Sequence, residues 1–101
     1  MARETSKTIF EWGRDTFGPV TDHNRVIERA RLEFDELAEA VRDGHSVDDI
    51  VAEAADVVIL LNRLAGLHGR DLAEEVDRKM DINRGRTWVR NGDGTGRHVK
   101  K

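Results

Sequence analysis

Two pairs of acidic residues have the types and the spacing to hold a metal ion. Glu33 and Glu36 lie three positions apart, and Glu53 and Asp56 repeat that spacing further along the chain. Residues three apart on a helix project to the same side, so each pair presents two carboxylates together. Mg²⁺ prefers oxygen ligands and keeps waters that a substrate phosphate can displace. The four acids therefore predict a magnesium site, with Mn²⁺ as an alternative ion.

The opposing interpretation is that these acids simply solvate the protein surface. The chain around Glu33 is rich in other acids, which is typical of a solvated helix face. The second pair favours a metal site, because Asp56 directly precedes the apolar run from Val57 to Leu61, where carboxylates are costly to bury. Four like charges near a core repel one another unless a cation neutralises them. A di-iron site is disfavoured, since it requires Glu-x-x-His pairs.

These acids must be positioned by helices. The capping signals in the sequence predict four helices. The helices are expected over Ser6 to Phe17, His23 to Asp43, Val47 to His68, and Leu72 to Arg84. Candidate N-caps precede each helix, at Thr5 or Ser6, Asp22, Ser46 and Asp71. The acidic pairs fall on the second and third helices, which a short turn should make antiparallel neighbours. The predicted fold class is all-α, a single four-helix domain over 1–101.

The end of the chain, from about 85 to 101, is predicted to be an irregular tail. Its Asn91-Gly92-Asp93-Gly94 stretch is turn chemistry, which is also compatible with a short hairpin. The tail is basic, and its cations would either fold over a phosphate group or form a disordered end. These cations are Arg86, Arg90, Arg97, Lys100 and Lys101.

Composition excludes several classes of protein. The 101 residues include 37% charged residues and no Cys, which rules out a disulfide scaffold and a thiolate metal site. A net charge of -3 argues against direct nucleic-acid binding. The apolar run from Val57 to Leu61 is far shorter than the roughly 20 residues of a membrane span. Met1 to Glu4 has no apolar signal core, so a cytoplasmic location is expected.

The acidic motifs resemble those of a known family. The segment from Leu32 to Ala40, followed by Glu53 to Val58, is similar to the ExxE and ExxD signature of the MazG-like all-α nucleoside triphosphate pyrophosphohydrolases. The resemblance implies that the four acids hold Mg²⁺ and that the substrate is cleaved between its α- and β-phosphates. It implies a catalytic base at Glu33 or Glu36. Many members carry a further acid where this chain has Leu32, so an auxiliary acid is missing.

Other segments extend the resemblance across most of the chain. Trp12 with Thr16 to Pro19, Lys79 to Trp88, and Asp93 to Val99 resemble the phage-associated dATP/dGTP pyrophosphohydrolase branch, which includes MazZ-like members. Such members hydrolyse (d)GTP and supply dGMP for 2-aminoadenine DNA synthesis. The resemblance therefore implies a (d)NTP substrate, with dGTP or GTP favoured, and action in a phage host's cytoplasm.

Candidate substrate-binding residues follow from chemistry and from this resemblance. Lys79 and Asn83 lie four apart on one helical face and can contact phosphate oxygens together, and Arg86 lies close enough to join them. The alternative is that cations at a helix end only complement its dipole. Trp12 and Trp88 are candidates for stacking on a nucleobase, with core or interface packing as the alternative.

The third predicted helix is apolar on more faces than one short bundle can cover. The chain is therefore expected to form a homo-oligomer, either a dimer or a dimer of dimers, with its active sites near the interface. A competing functional class remains: a non-enzymatic acidic helical module used for oligomerisation or as an adaptor. That class predicts no turnover and no Mg²⁺-dependent thermal shift.

Overall fold

The computed structural model describes residues 3–99 as four helices followed by a hairpin. The elements are α1 (Ser6–Phe17), α2 (His23–Arg42), α3 (Val47–Leu67), α4 (Leu72–Arg84), β1 (Trp88–Arg90) and β2 (Gly96–His98). All four predicted helices are confirmed, and only the ends of α2 and α3 differ, each by one residue. Met1, Ala2, Lys100 and Lys101, which entered the expectations for the two chain ends, lie outside the described residues.

Each helix begins at a residue that the sequence marks as an N-cap. The side chains of Thr5, Asp22, Ser46 and Asp71 each accept a hydrogen bond from a backbone N–H in the first turn of the following helix. Gly44 and Gly69 follow α2 and α3 with φ of 67° and 69°, a conformation that favours glycine. The tight turn at Gly44 brings α3 back along α2, so the two acidic helices are neighbours.

Helix α3 is the centre of the fold. It packs extensively against α2 and α1, whereas its contact with α4 is sparse. Few side chains are fully buried, and none of them belongs to α3 within the described part of the chain. Large apolar side chains such as Val51, Val58 and Leu61 are exposed on that helix. Between residues 3 and 99, no helix is both long enough and apolar enough to cross a membrane.

A buried serine joins three of the helices. Ser6, fully buried at the start of α1, donates its hydroxyl to Asn62 Oδ1 on α3 at 2.7 Å. The same hydroxyl accepts the Leu72 N–H at 2.7 Å, and the Ser6 N–H donates to Asp71 Oδ1 at 3.1 Å. These bonds satisfy backbone groups at the starts of α1 and α4 that a helix cannot satisfy itself. Ser6 therefore attaches α4 to the rest of the domain.

The tail is more ordered than expected. Trp88 pairs with His98 and Arg90 with Gly96 in an antiparallel ladder, so the prediction of an irregular tail is wrong for residues 88–98 and the hairpin alternative is correct. Gly92 and Gly94 adopt φ of 94° and 90°, which allows the chain to reverse. The hairpin also docks on α4, because Trp88 Nε1 donates to the Asn83 carbonyl oxygen at 2.8 Å.

Candidate active site

Three of the four predicted ligands converge between α2 and α3. Glu33 of α2 and Glu53 and Asp56 of α3 each offer a carboxylate oxygen, and these oxygens lie within 4.8 Å of one another. Glu33 and Glu53 are partly buried, whereas Asp56 is exposed. The antiparallel packing of the two helices produces this convergence, because it sets the two acidic motifs at the same height. We call these three residues the acid cluster.

The fourth predicted ligand, Glu36, adjoins the acid cluster. It is not one of the three acids whose oxygens converge. Its carboxylate nevertheless lies close enough for its negative charge to raise the pKa of both Glu33 and Glu53. Glu36 is one helical turn after Glu33, so it borders the cluster on the α2 side.

Burial and neighbouring negative charges both raise the pKa of two acids in the cluster. Desolvation is the largest cause that raises the pKa of Glu33 and of Glu53, followed in each case by the neighbouring Glu36. The Asp56 charge raises both pKa values further, while Arg29 opposes the rise at Glu33. The cluster therefore carries an electrostatic cost that a cation would remove.

Glu53 provides a direct test of whether a metal fits. Its Oε2 atom is buried and accepts no hydrogen bond. A buried carboxylate oxygen without a donor is costly, because it has lost its water and gained nothing in return. Carboxylate oxygens are the ligands that hard divalent cations prefer. The donor set and its unsatisfied oxygen therefore fit a divalent cation.

The predicted phosphate-binding residues lie on α4 and just after it. Lys79 is exposed, while Asn83 and Arg86 are partly buried. The Asn83 Oδ1 atom is buried and has no hydrogen-bond partner. Among residues 3–99, no hydrogen bond or ion pair joins Lys79 or Asn83 to the acid cluster. The two groups of predicted site residues thus occupy separate elements of the single chain.

Neither tryptophan belongs to the core of the chain. Trp12 is 54% exposed and meets Phe17 edge to face, with ring centroids 5.5 Å apart. It also lines an apolar pocket together with Glu4, Ile9 and Ile59. We call this the Trp12 pocket.

The second tryptophan, Trp88, lies on the hairpin and is 46% exposed. Its ring is in tilted contact with His98 at a centroid distance of 5.9 Å. Both tryptophans therefore present ring surface outside the core, which is where a stacking role would need it.

Arg29 is a site neighbour that sequence reasoning missed. Its Nη2 donates to Glu33 Oε1 at 2.7 Å, and the Glu33 side chain is only 15% exposed. The two residues lie four apart on α2, a spacing that favours such a pair and could have revealed it. Arg29 holds one carboxylate of the acid cluster from the α2 side.

Comparison with known proteins finds two phage relatives, while no family model matches the chain. The chain is 40% identical over 96 residues to a dATP/dGTP diphosphohydrolase of Salmonella phage PMBT28, covering 95% of the chain but 31% of that protein. It is 38% identical over 66 residues to a dATP/dGTP diphosphohydrolase of Cyanophage S-2L, covering 65% of the chain and 61% of that protein. The chain thus spans less than two thirds of either relative.

A solved structure is similar in both fold and sequence. It is a Cyanophage S-2L MazG-like pyrophosphohydrolase bound to dGDP and three catalytic Mn²⁺ ions per active site. The two chains align with a TM-score of 0.73 and 32% identity, over 95% of this chain and 90% of that one. The similarity extends over nearly the whole length of both chains. The chain therefore belongs to the MazG-like pyrophosphohydrolases.

Proposed function

We propose that the chain is a metal-dependent pyrophosphohydrolase that converts a (d)NTP, preferentially dGTP or GTP, to the (d)NMP and pyrophosphate. The observation that carries this proposal is the convergence of Glu33, Glu53 and Asp56 within 4.8 Å, with one Glu53 oxygen buried and unsatisfied. The two dATP/dGTP diphosphohydrolases and the dGDP-bound structure support the reaction and the substrate class.

The acid cluster with Glu36 would hold Mg²⁺, and Mn²⁺ is the alternative ion. A bound divalent cation supplies charge neutralisation for the phosphoryl oxygens and a more acidic water. The Mn²⁺ ions of the similar cyanophage structure support a divalent-metal enzyme. The carboxylates of Glu33, Glu53 and Asp56 would contribute ligand oxygens from both helices.

The chain's own acids would also move the proton. Hydrolysis adds water across the α–β phosphoanhydride, so one proton must leave the attacking water. Glu33 or Glu36 would accept it. Glu33 belongs to the acid cluster and Glu36 borders it, so both carboxylates lie beside the proposed metal and its attacking water.

The residues of α4 and the two tryptophans would bind the substrate. Lys79 offers an exposed ammonium, Asn83 offers amide donors, and Arg86 offers a guanidinium for the triphosphate. Trp12 and Trp88 would stack on the base, and their exposed ring surface supports that role.

We further propose a homo-oligomer, either a dimer or a dimer of dimers. An apolar groove between α2 and α3 is lined mainly by Ile27, Ala30, Phe34, Val57 and Leu61, and Phe34 is 57% exposed. Exposed apolar surface of this kind marks an interface. Light scattering should give a multiple of the 11.5 kDa chain mass, and a monomeric mass at micromolar concentration would contradict the proposal.

The relatives also suggest a setting. Both named relatives are phage proteins, which supports action in the cytoplasm of an infected host cell. In that setting the dGMP product would feed 2-aminoadenine DNA synthesis.

Pyrophosphate release is the decisive assay. The purified chain is screened against nucleoside triphosphates with Mg²⁺ and with Mn²⁺, beside the variants Glu53→Gln and Glu39→Gln. Both variants lose one carboxylate charge, but Glu39 is an exposed residue of α2 outside the acid cluster.

We expect Glu53→Gln to reduce release to background with unchanged helical circular dichroism, while Glu39→Gln stays active. Full activity in Glu53→Gln would overturn the metal assignment. Absence of both turnover and a metal-dependent thermal shift in the unsubstituted chain would favour the adaptor class.

A further inference from the structure

We propose that Glu4 selects guanine, by accepting hydrogen bonds from the N1–H and the 2-amino group of a base seated in the Trp12 pocket. The inference rests on the proposed function, because it requires a nucleotide whose phosphates lie at the acid cluster. It adds a specificity-determining residue and the physical reason for its selectivity.

The position of the Trp12 pocket relative to the acid cluster is the first support. Ile59 lines the pocket and lies three residues after Asp56 on α3. On a helix this spacing places two side chains on adjoining faces, about 4.5 Å apart along the axis. A nucleotide whose phosphates lie at Asp56 therefore has its base within reach of Ile59 and of α1 beside it.

The walls of the pocket suit an aromatic base. Ile9, Trp12 and Ile59 provide apolar surface from two helices. The edge-to-face contact with Phe17 orients the Trp12 ring while leaving it 54% exposed. Ligand pockets are typically apolar with a few polar groups that fix orientation, and Glu4 is the polar side chain of this lining.

The chemistry of Glu4 discriminates between purines. An ionised carboxylate accepts hydrogen bonds and donates none. Guanine presents N1–H and the 2-amino group side by side, and the two oxygens of one carboxylate can accept both. Adenine presents the N1 lone pair at the equivalent position, which would face the carboxylate without a proton between them. The carboxylate oxygens and the adenine N1 lone pair would then face each other without a donor, which disfavours adenine.

The exposed Glu4 side chain lies just before α1, within hydrogen-bond distance of Thr8. The Thr8 hydroxyl is 3.1 Å from Glu4 Oε1 and 3.0 Å from the Thr5 carbonyl oxygen, so two acceptors share its single proton. This contact places the carboxylate near the first turn of α1, beside the pocket that it lines. A glutamine at position 4 would preserve the acceptor for Thr8 while losing the second acceptor oxygen that guanine requires.

The test measures base selectivity in four nucleotides that separate the two hydrogen bonds. These are dGTP, dITP (which lacks the 2-amino group), dATP, and 2-amino-dATP (which lacks N1–H). The proteins are the unsubstituted chain, Glu4→Gln, and the control Glu11→Gln. Glu11 carries the same charge on α1 but lines a different groove, with Lys7 and Phe10.

We expect Glu4→Gln to lower kcat/KM for dGTP by about 10- to 100-fold, the range for a hydrogen bond to a charged group. Turnover of dATP should rise, because the carboxylate no longer faces the adenine N1 lone pair and the glutamine amide can donate to it. The preference for dGTP over dITP should collapse in Glu4→Gln and persist in Glu11→Gln.

Several outcomes would overturn the assignment of Glu4. One is a dGTP-to-dITP ratio that Glu4→Gln leaves unchanged. Another is an equal loss for all four nucleotides, which would indicate a structural role. A third is a lower oligomer mass in Glu4→Gln with unchanged selectivity, which would assign the pocket to a subunit contact.

Failure of the proposed function looks different, because the unsubstituted chain would then turn over no nucleotide. Calorimetry with dGMP, dIMP and dAMP tests Glu4 in that case as well. Weaker dGMP binding by Glu4→Gln supports the assignment, and equal affinities in both proteins overturn it.

Discussion

Replacement of Ser6 by alanine should destabilise the domain far more than its small size suggests. The Ser6 hydroxyl donates to Asn62 Oδ1 and accepts the Leu72 N–H, both at 2.7 Å, in a fully buried position. Alanine removes both bonds and leaves the Leu72 N–H at the start of α4 without a partner. A net hydrogen bond contributes about 1 kcal/mol, and an unsatisfied buried group costs about 1–3 kcal/mol. The expected loss is therefore about 2–4 kcal/mol.

That loss is large beside the roughly 5–15 kcal/mol that stabilises a typical domain. For a chain of this length it corresponds to a fall in Tm of roughly 10–25 °C. Thermal unfolding of Ser6→Ala and of the control Ser46→Ala is compared at one protein concentration, because the Tm of any protein that assembles depends on concentration. Ser46 is also a helix-capping serine, but it is exposed, and its loss should cost only about 1 kcal/mol.

The region that unfolds most readily in Ser6→Ala provides a second measurement. Ser6 holds the first turn of α4, and α4 otherwise contacts α3 only sparsely. Hydrogen exchange in Ser6→Ala should therefore rise first in α4, with α2 and α3 less affected. Equal Tm values for Ser6→Ala and Ser46→Ala, or faster exchange spread evenly over all four helices, would refute the reasoning.

Two further predictions concern packing and pH. A Cβ at Gly66 would lie 2.5 Å from the Phe10 Cβ and 2.9 Å from the Ser6 carbonyl oxygen, so Gly66→Ala should cost about 1–3 kcal/mol in chemical denaturation. Gly85→Ala, whose nearest neighbour is 3.5 Å away, is its control and should be within about 0.5 kcal/mol of the unsubstituted chain. The folded pKa values of Glu33 and Glu53 are raised above 4.5, so the folded state binds more protons than the unfolded state above that pH. Without divalent metal, stability should therefore fall as pH rises above 4.5, and Glu53→Gln should show a shallower fall; an equal slope in both proteins would contradict the pKa shifts.

The sequence was sufficient to predict the helices because their signals are local. Asp22, Ser46 and Asp71 cap the helices that follow them, and a cap requires only a side-chain oxygen and the next turn of backbone. The pairing of the two acidic motifs was also predictable, because a short turn leaves α2 and α3 little choice but to lie antiparallel. Regular spacing on both helices then sets Glu33 opposite Glu53 and Asp56.

Other features depend on contacts that no local pattern records. The Ser6 hydroxyl bonds to Asn62 and Leu72, which lie 56 and 66 positions further along the chain. Its role could therefore not be predicted from its sequence neighbours. The turn signals from Asn91 to Gly94 predict an irregular tail. The strands that flank them have three residues each, which is too short for a period-two pattern to be evident. Docking of Trp88 on the Asn83 carbonyl helps to hold that hairpin, and it too is a contact between elements.

The acid cluster and the small core are connected by their energetics. Glu33 and Glu53 lie partly buried between the two helices that pack most extensively, so the chain places unfavourable charge where it could have placed apolar contact. Few side chains of the described residues are fully buried, so the cluster lowers the free energy of unfolding of a domain with a small core. This is the cost expected of a binding site. A ligand that binds only the folded state stabilises it by RT ln(1 + [L]/Kd), so the free energy of unfolding rises with the logarithm of ligand concentration. Association of copies through exposed side chains such as Phe34 and Leu61 would also stabilise the folded state. Because metal binding and assembly both require the folded chain, each should favour the other.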